Sequence, residues 1–147
     1  MSRYLQGKYI LKNPMKYVGD KLNVVYRSSW ELKAMIFFDN NPGILRWSSE
    51  ESIIPYLSKV DGKMHRYFVD FTVLYQTKSG EQKKALVEIK PRSQTIEPKV
   101  PKRQTKRYIN EVTEYIKNTS KWEAAKKWAD EHGLEFMILD EYSLGIK

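Results

Sequence analysis

A mixed α/β domain, with a small central sheet flanked by helices, is the fold class this sequence predicts. Three observations carry that reading. Residues 67–75 alternate in the period-2 manner of a half-buried strand. Serines at positions 28 and 120 each open a capping-box pattern, and an apolar run follows Gly133. The 147 residues suffice for one domain with one core, spanning 1–147. A hydrophobic fraction of 41% excludes a disordered chain, which would lack the apolar surface to offset its ordering entropy.

Residues 1–26 carry aromatics, Gly7, Pro14 and Gly19 without sustained periodicity, and are read as an irregular arm packed on the domain. Ser28-Ser29-Trp30-Glu31 then starts a helix, with Trp30, Met35, Phe37 and Phe38 as its apolar faces; Asn40-Asn41-Pro42-Gly43 ends it. Residues 44–47 and 52–56 read as a broken or bulged strand, and Val60-Asp61-Gly62-Lys63 as a turn. In the strand over 67–75, Tyr67, Val69, Phe71, Val73 and Tyr75 share one face, and Phe68, Asp70, Thr72 and Leu74 the other. Lys78-Ser79-Gly80-Glu81 forms a second turn, and residues 85–90 a strand stopped by Pro91. An extended, proline-punctuated loop over 92–101 leads to a helix over 105–117. A further helix begins at Ser120-Lys121-Trp122-Glu123 and closes at Gly133, before a final strand over 134–139. The four tryptophans are assigned to the core.

Several function classes are excluded at once. With no cysteine there is no disulfide, thiolate nucleophile or Cys-based zinc site, which is compatible with a reducing compartment. No apolar run approaches the roughly 18–20 residues of a membrane span, and no signal-peptide pattern opens the chain. His65 and His132 are not at metal-ligand spacing, and glycine-rich phosphate loops, Ser-His-Asp sets and dinucleotide fingerprints are lacking. The net charge of +8 suits a polyanionic partner. Its distribution is sharper than its size: Lys90, Arg92, Lys99, Lys102, Arg103, Lys106 and Arg107 face a single acid, Glu97, in one segment. That concentration favours contact with a DNA backbone over a merely solvated loop.

The chemistry centres on Asp70 and, eighteen residues later, Glu88-Ile89-Lys90. Glu88 and Lys90 lie two apart on a strand and emerge on one face, while Val87 and Ile89 face the opposite, core side. Asp70 shares their face only if the hairpin has an odd number of loop residues or carries a bulge; a regular two-residue Ser79-Gly80 turn has the wrong parity. Two or three carboxylates holding Mg²⁺, with a lysine beside them, are what phosphodiester hydrolysis requires. They stabilise charge on the phosphate and lower the pKa of an attacking water. Glu31 offers a further carboxylate, although its spacing from Ser28 is equally that of a capping-box partner.

The helix Glu31, then Asp70, then Glu88-Ile89-Lys90 resembles the PD-(D/E)xK nuclease superfamily in its E…D…ExK form, with Val69 in place of the motif's proline. "RSSWE", "YFVDF" and "VEIKP" also look like the end-cleaving endonuclease subunit of certain bacterial transposons. "KNPMKYVGD" (12–20), "YRSSWELKAM" (26–35), "WSSEESIIPY" (47–56), "DGKMHRYFVDF" (61–71), "SKWEAAKKW" (120–128) and the terminal "LGIK" are similar to the head completion nucleases of T-even-type tailed phages. The resemblance implies a restriction-endonuclease-like PD-(D/E)xK core and Mg²⁺-dependent cleavage of double-stranded DNA, with Mn²⁺ as a substitute. It implies an endonuclease, with exonuclease activity also compatible. Asp70 and Glu88 would be metal ligands, Glu31 the helix carboxylate and further ligand, Lys90 the catalytic lysine, and Ile89 the donor of a backbone carbonyl. It also implies action before head–tail joining, in the host cytoplasm or retained in the virion, with phage head or portal-neck proteins as partners and no membrane. The competing reading is a head-closure interaction protein that uses a nuclease fold for binding alone.

Overall fold

Ser28 opens the first helix as its sequence context predicts. In the computed structural model, which describes residues 6–145, the Ser28 Oγ accepts the Glu31 N–H at 3.1 Å and α1 runs Ser29–Asn40. Helical spacing brings Ala34, Met35 and Phe38 onto its buried face. Phe37, expected among the apolar contacts, is turned outward at 52% exposed.

Before α1, β1 (Gly7–Lys8) pairs antiparallel with β2 (Val25–Tyr26), and Tyr17 and Val24 between them enter the core. The arm is fastened by Asp39, a fully buried carboxylate in the last turn of α1. It accepts hydrogen bonds from Tyr9 Oη (2.6 Å), Lys12 N (2.8 Å) and Asn13 N (3.1 Å). Removing one acceptor strands three donors, so Asp39→Ala is expected to lose roughly 2–4 kcal/mol, read as a lower urea midpoint. Residues 1–5 of the arm and the last two residues of the "LGIK" string lie outside the described residues.

Four strands follow α1: β3 (Ile44–Ser49), β4 (Ile53–Leu57), β5 (Met64–Phe68) and β6 (Phe71–Gln76). The expectation of one strand over 67–75 is corrected here. The chain bends at Val69-Asp70, so β5 pairs with β4 in a separate hairpin while β6 joins the central sheet beside β3. The cause lies opposite the bend. Glu50 N donates to Asp70 O (3.0 Å) and Val69 N to Ser52 O (3.1 Å), which sets three residues, 50–52, against two. Glu50 takes up the excess at φ 55°, a left-handed conformation uncommon for a residue with a side chain. Beyond it the odd-numbered face changes core: Phe71 and Val73 pack beneath α1, whereas Tyr67 and Val69 pack on the opposite side of the sheet.

The central sheet has the order β3-β6-β7-β8, with β7 (Gln82–Ile89) antiparallel to β6 and parallel to β8 (Glu135–Leu139). The parallel crossover is made by α2, Lys106–Glu131, one continuous helix of 26 residues where the capping patterns predict two. Its N-cap is Thr105, whose Oγ1 accepts the Tyr108 N–H at 3.2 Å. Ser120 does not cap. Its Oγ donates to Ile116 O at 2.8 Å and accepts Lys59 N at 3.3 Å, so its hydroxyl is satisfied inside the helix and no break is needed. Ala125 and Ala129 seat α2 against Ile54, Tyr56, Tyr67, Val69 and Leu86. On the other face Trp47 is the hub, with Tyr17, Phe38 and Phe71 rings 4.8, 6.0 and 6.2 Å away. No helix among the described residues is long and apolar enough to cross a membrane.

Candidate active site

The geometry of the site follows from the β6–β7 register. Pairing runs from Phe71↔Val87 to Gln76↔Gln82, and the connection, residues 77–81, has the odd length that a shared face demands. Gly80 closes it at φ +88°. Asp70 therefore comes opposite Glu88. Ala85, Val87 and Ile89 enter the core under α1, while Leu86 and Glu88 turn toward α2.

Asp70, Glu88 and Lys90 line one cleft of about 260 Å³ together with Glu31, which reaches it from the first turn of α1. The Asp70 carboxylate accepts the Ile89 N–H at 2.8 Å, which locks it against the end of β7. Glu88 is buried and accepts the Tyr67 hydroxyl. Lys90 is held by its own N–H, bonded to Leu139 O at 3.0 Å, and among the described residues its ammonium has no ion-pair partner.

The carboxylates repel one another and are poorly solvated. Burial, with help from the charges of Asp70 and Glu50, pushes Glu31 up to about 7. Burial raises Asp70 to about 6 against the opposing pull of the Ile89 N–H and Lys90. Glu88 is raised to about 7, again chiefly by burial and in spite of Lys90 and Lys121. Such a set is short of positive charge. The donors fit a hard divalent cation: carboxylate oxygens, in a cleft that Ile89 also lines. Among the described residues no three His, Asp or Glu side chains converge into a ready cage, so any ion here would need water or substrate oxygens as well.

Residues 41–141 match the family model described as TnsA-like endonuclease N terminal. A curated protein named head completion nuclease, from Enterobacteria phage T4, is 39% identical over 142 residues, covering 94% of this chain and 92% of that protein. The chain belongs to the TnsA-like endonuclease family. No solved structure gives a significant match.

Membership agrees with the observed mixed sheet between two helices, a restriction-endonuclease-like arrangement. The TnsA-like segment contains Asp70, Glu88 and Lys90; Glu31 lies ahead of it. The six residues expected to contact DNA, Arg92, Lys99, Lys102, Arg103, Lys106 and Arg107, are all exposed along the loop after β7 and the first turn of α2. Two of them have protein partners: Arg92 stacks over Tyr142 at 5.1 Å, and Arg107 pairs with Glu111 at 3.1 Å. His65 bonds Asp61 in its turn and His132 stacks on Trp128, both outside the cleft.

Four further residues bear on the site without a motif to mark them. Arg27 and Glu50 form an ion pair whose charges are felt by Glu31 and Asp70. Tyr67 holds Glu88, and Lys121 faces Glu88 and Lys90 from α2. Tyr67 and Glu50 become visible only once the bend at Asp70 is known. Lys121 does leave a trace in the sequence: it stands four and eight residues before the buried Ala125 and Ala129, at the point where the helix row turns from polar to apolar.

Proposed function

We propose that this TnsA-like chain is a Mg²⁺-dependent nuclease that cleaves double-stranded DNA during phage head completion, before heads join tails. The observation that carries the proposal is the meeting of Asp70, at the bend before β6, with Glu88 and Lys90, at the end of β7, in one cleft open to solvent. Asp70 and Glu88, joined by Glu31 and the Ile89 carbonyl, would hold the cation. Once bound, it would supply charge for the phosphate oxygens and acidify the attacking water. The protein's own part is positioning. Ile89 N–H fixes Asp70, Tyr67 fixes Glu88, and Lys90 brings a cation that has no ion-pair partner among the described residues.

DNA would approach along the basic segment. A second cleft, about 870 Å³, opens between the loop carrying Ser93 and Ile96 and the α2 residues Arg107 and Tyr115, and it shares Gln94 with the acidic cleft. Of the six basic residues Arg107 lines it, with the acids Glu111 and Glu114, while Arg92, Lys99, Lys102, Arg103 and Lys106 stand on the exposed segment along which the backbone would run. Such contacts carry little sequence information and depend steeply on salt. The relative's name supports the setting in head completion; head or portal-neck proteins would be the partners and the host cytoplasm or the virion the location.

The test is nicking of supercoiled plasmid by the purified full chain. Cleavage is expected with Mg²⁺ or Mn²⁺, none in EDTA, and a steep fall as salt rises. Folded protein inactive with both metals would overturn the nuclease reading in favour of a head-closure protein that only binds.

A further inference from the structure

Lys121 occupies a position where a lysine needs an explanation. The row Lys121–Ala125–Ala129 runs along the buried side of α2, and both alanines are essentially inaccessible. A long cationic side chain at the head of such a row normally snorkels to water or pairs with an acid. Lys121 has no ion pair among the described residues. Its Nζ instead sits 5.4 Å from the centroid of the Tyr67 ring, and the hydroxyl of that ring holds Glu88. The charged groups around it are Glu88 and Lys90 from β7, and Lys117 and Glu114 from α2 itself. Lys90 and Lys121 thus approach the same carboxylate from two elements, and half-burial disfavours the charged state of Lys121. Two cations that reach one carboxylate from separate elements are also placed to meet an oxyanion bound beside that carboxylate.

We propose that Lys121 is a second cation of the active site, placed by α2 to contact a phosphate oxygen of the DNA strand held at Asp70, Glu88 and Lys90. The inference rests on the assignment of that site. Lys90 and Lys121 would flank the bound strand, one from the end of β7 and the other from the helix that crosses it. The cation–π contact with Tyr67 positions the ammonium in the free protein, and Tyr67 couples it to Glu88.

The test compares Lys121→Met, which keeps the apolar stem, with Lys121→Arg, which restores the charge. DNA affinity across a salt series is read in a cleavage-dead Asp70→Asn background, and single-turnover cleavage in the otherwise native chain. Loss of one phosphate contact is expected to reduce the slope of log Kd against log salt by about one. Cleavage is expected to fall about 10- to 100-fold, with Lys121→Arg recovering the slope and most of the rate. An unchanged slope with a rate within about two-fold of the native chain would overturn the inference. So would a rate loss that follows a drop in melting temperature and is not rescued by arginine. If Asp70→Asn itself cleaves normally, the site assignment falls first and the role of Lys121 with it.

Discussion

Asp70→Asn, Glu88→Gln and Lys90→Met are each expected to lower the single-turnover cleavage rate by about 10³-fold while leaving the fold intact, since the first two remove charged ligands of the cation and the third the positive charge beside the reacting phosphate. The substitutions are chosen to keep the packing. An asparagine in place of Asp70 would still offer an acceptor to the Ile89 N–H, and a glutamine in place of Glu88 an acceptor to the Tyr67 hydroxyl. A methionine in place of Lys90 retains the apolar stem. DNA binding measured without metal should hold or tighten in the two carboxylate variants, because each removes a negative charge that repels the phosphate. Double variants are expected to lose little more than the singles, as groups acting on one transition state are not additive. Full activity in any single variant would overturn the assignment. Glu31→Gln separates the two readings of that residue. Ser28 Oγ accepts the Glu31 N–H at 3.1 Å and donates to the Glu31 carboxylate at 3.4 Å; a glutamine keeps the first and still offers an acceptor for the second, so lost cleavage would belong to the charge rather than to the cap.

Particular residues show why the sequence discloses some of this site and withholds the rest. Glu88 and Lys90 are legible because a strand's period is two, and a proline directly after them stops the strand at the cleft. Parity requires an odd connection before β7 or a bulge, and the connection 77–81 is odd. Asp70 belongs beside Glu88 as expected, yet the residue sits at a bend and not within a strand. That bend is produced by an extra residue at Glu50, whose left-handed conformation nothing local announces, since the position holds a glutamate and not a glycine. The long helix is hidden because hydroxyl and carboxylate at 120 and 123 match a capping box wherever they fall. Only the packing of Ser120 between Ile116 and Lys59 reveals that the hydroxyl is used otherwise. Lys121 shares a row with Ala125 and Ala129 in either reading of the helix, but nothing in that row shows that it faces Glu88 and Lys90. Short-range patterns identify strands and caps; convergence of side chains from separate elements needs the tertiary structure.

A second large effect is expected on stability, and its sign follows from the raised carboxylates. Glu88 titrates at about 7 in the folded chain against an ordinary value of 4.5, and Asp70 at about 6 against 3.8, both chiefly through burial. Between about pH 4 and 7 the folded state therefore holds protons that the unfolded chain has already released. Stability must fall as pH rises through that window, the reverse of a carboxylate whose folded pKa is depressed. For Glu88 alone the loss is roughly 2–3 kcal/mol by pH 8. In metal-free buffer at pH 8, Glu88→Gln should consequently melt roughly 5–10 °C above the native chain, and at pH 4 the two should nearly coincide. Mg²⁺ at pH 8 should raise the melting temperature of the native chain and narrow the gap, because a cation stabilises the charged form that burial penalises. A glutamine variant that melts below the native chain at pH 8, with no response of the native chain to Mg²⁺, would mean that these carboxylates are not short of a cation. The same charge deficit that would recruit a metal and a phosphate is thus expected to weaken the empty fold, so function and stability draw on Glu88 in opposite directions.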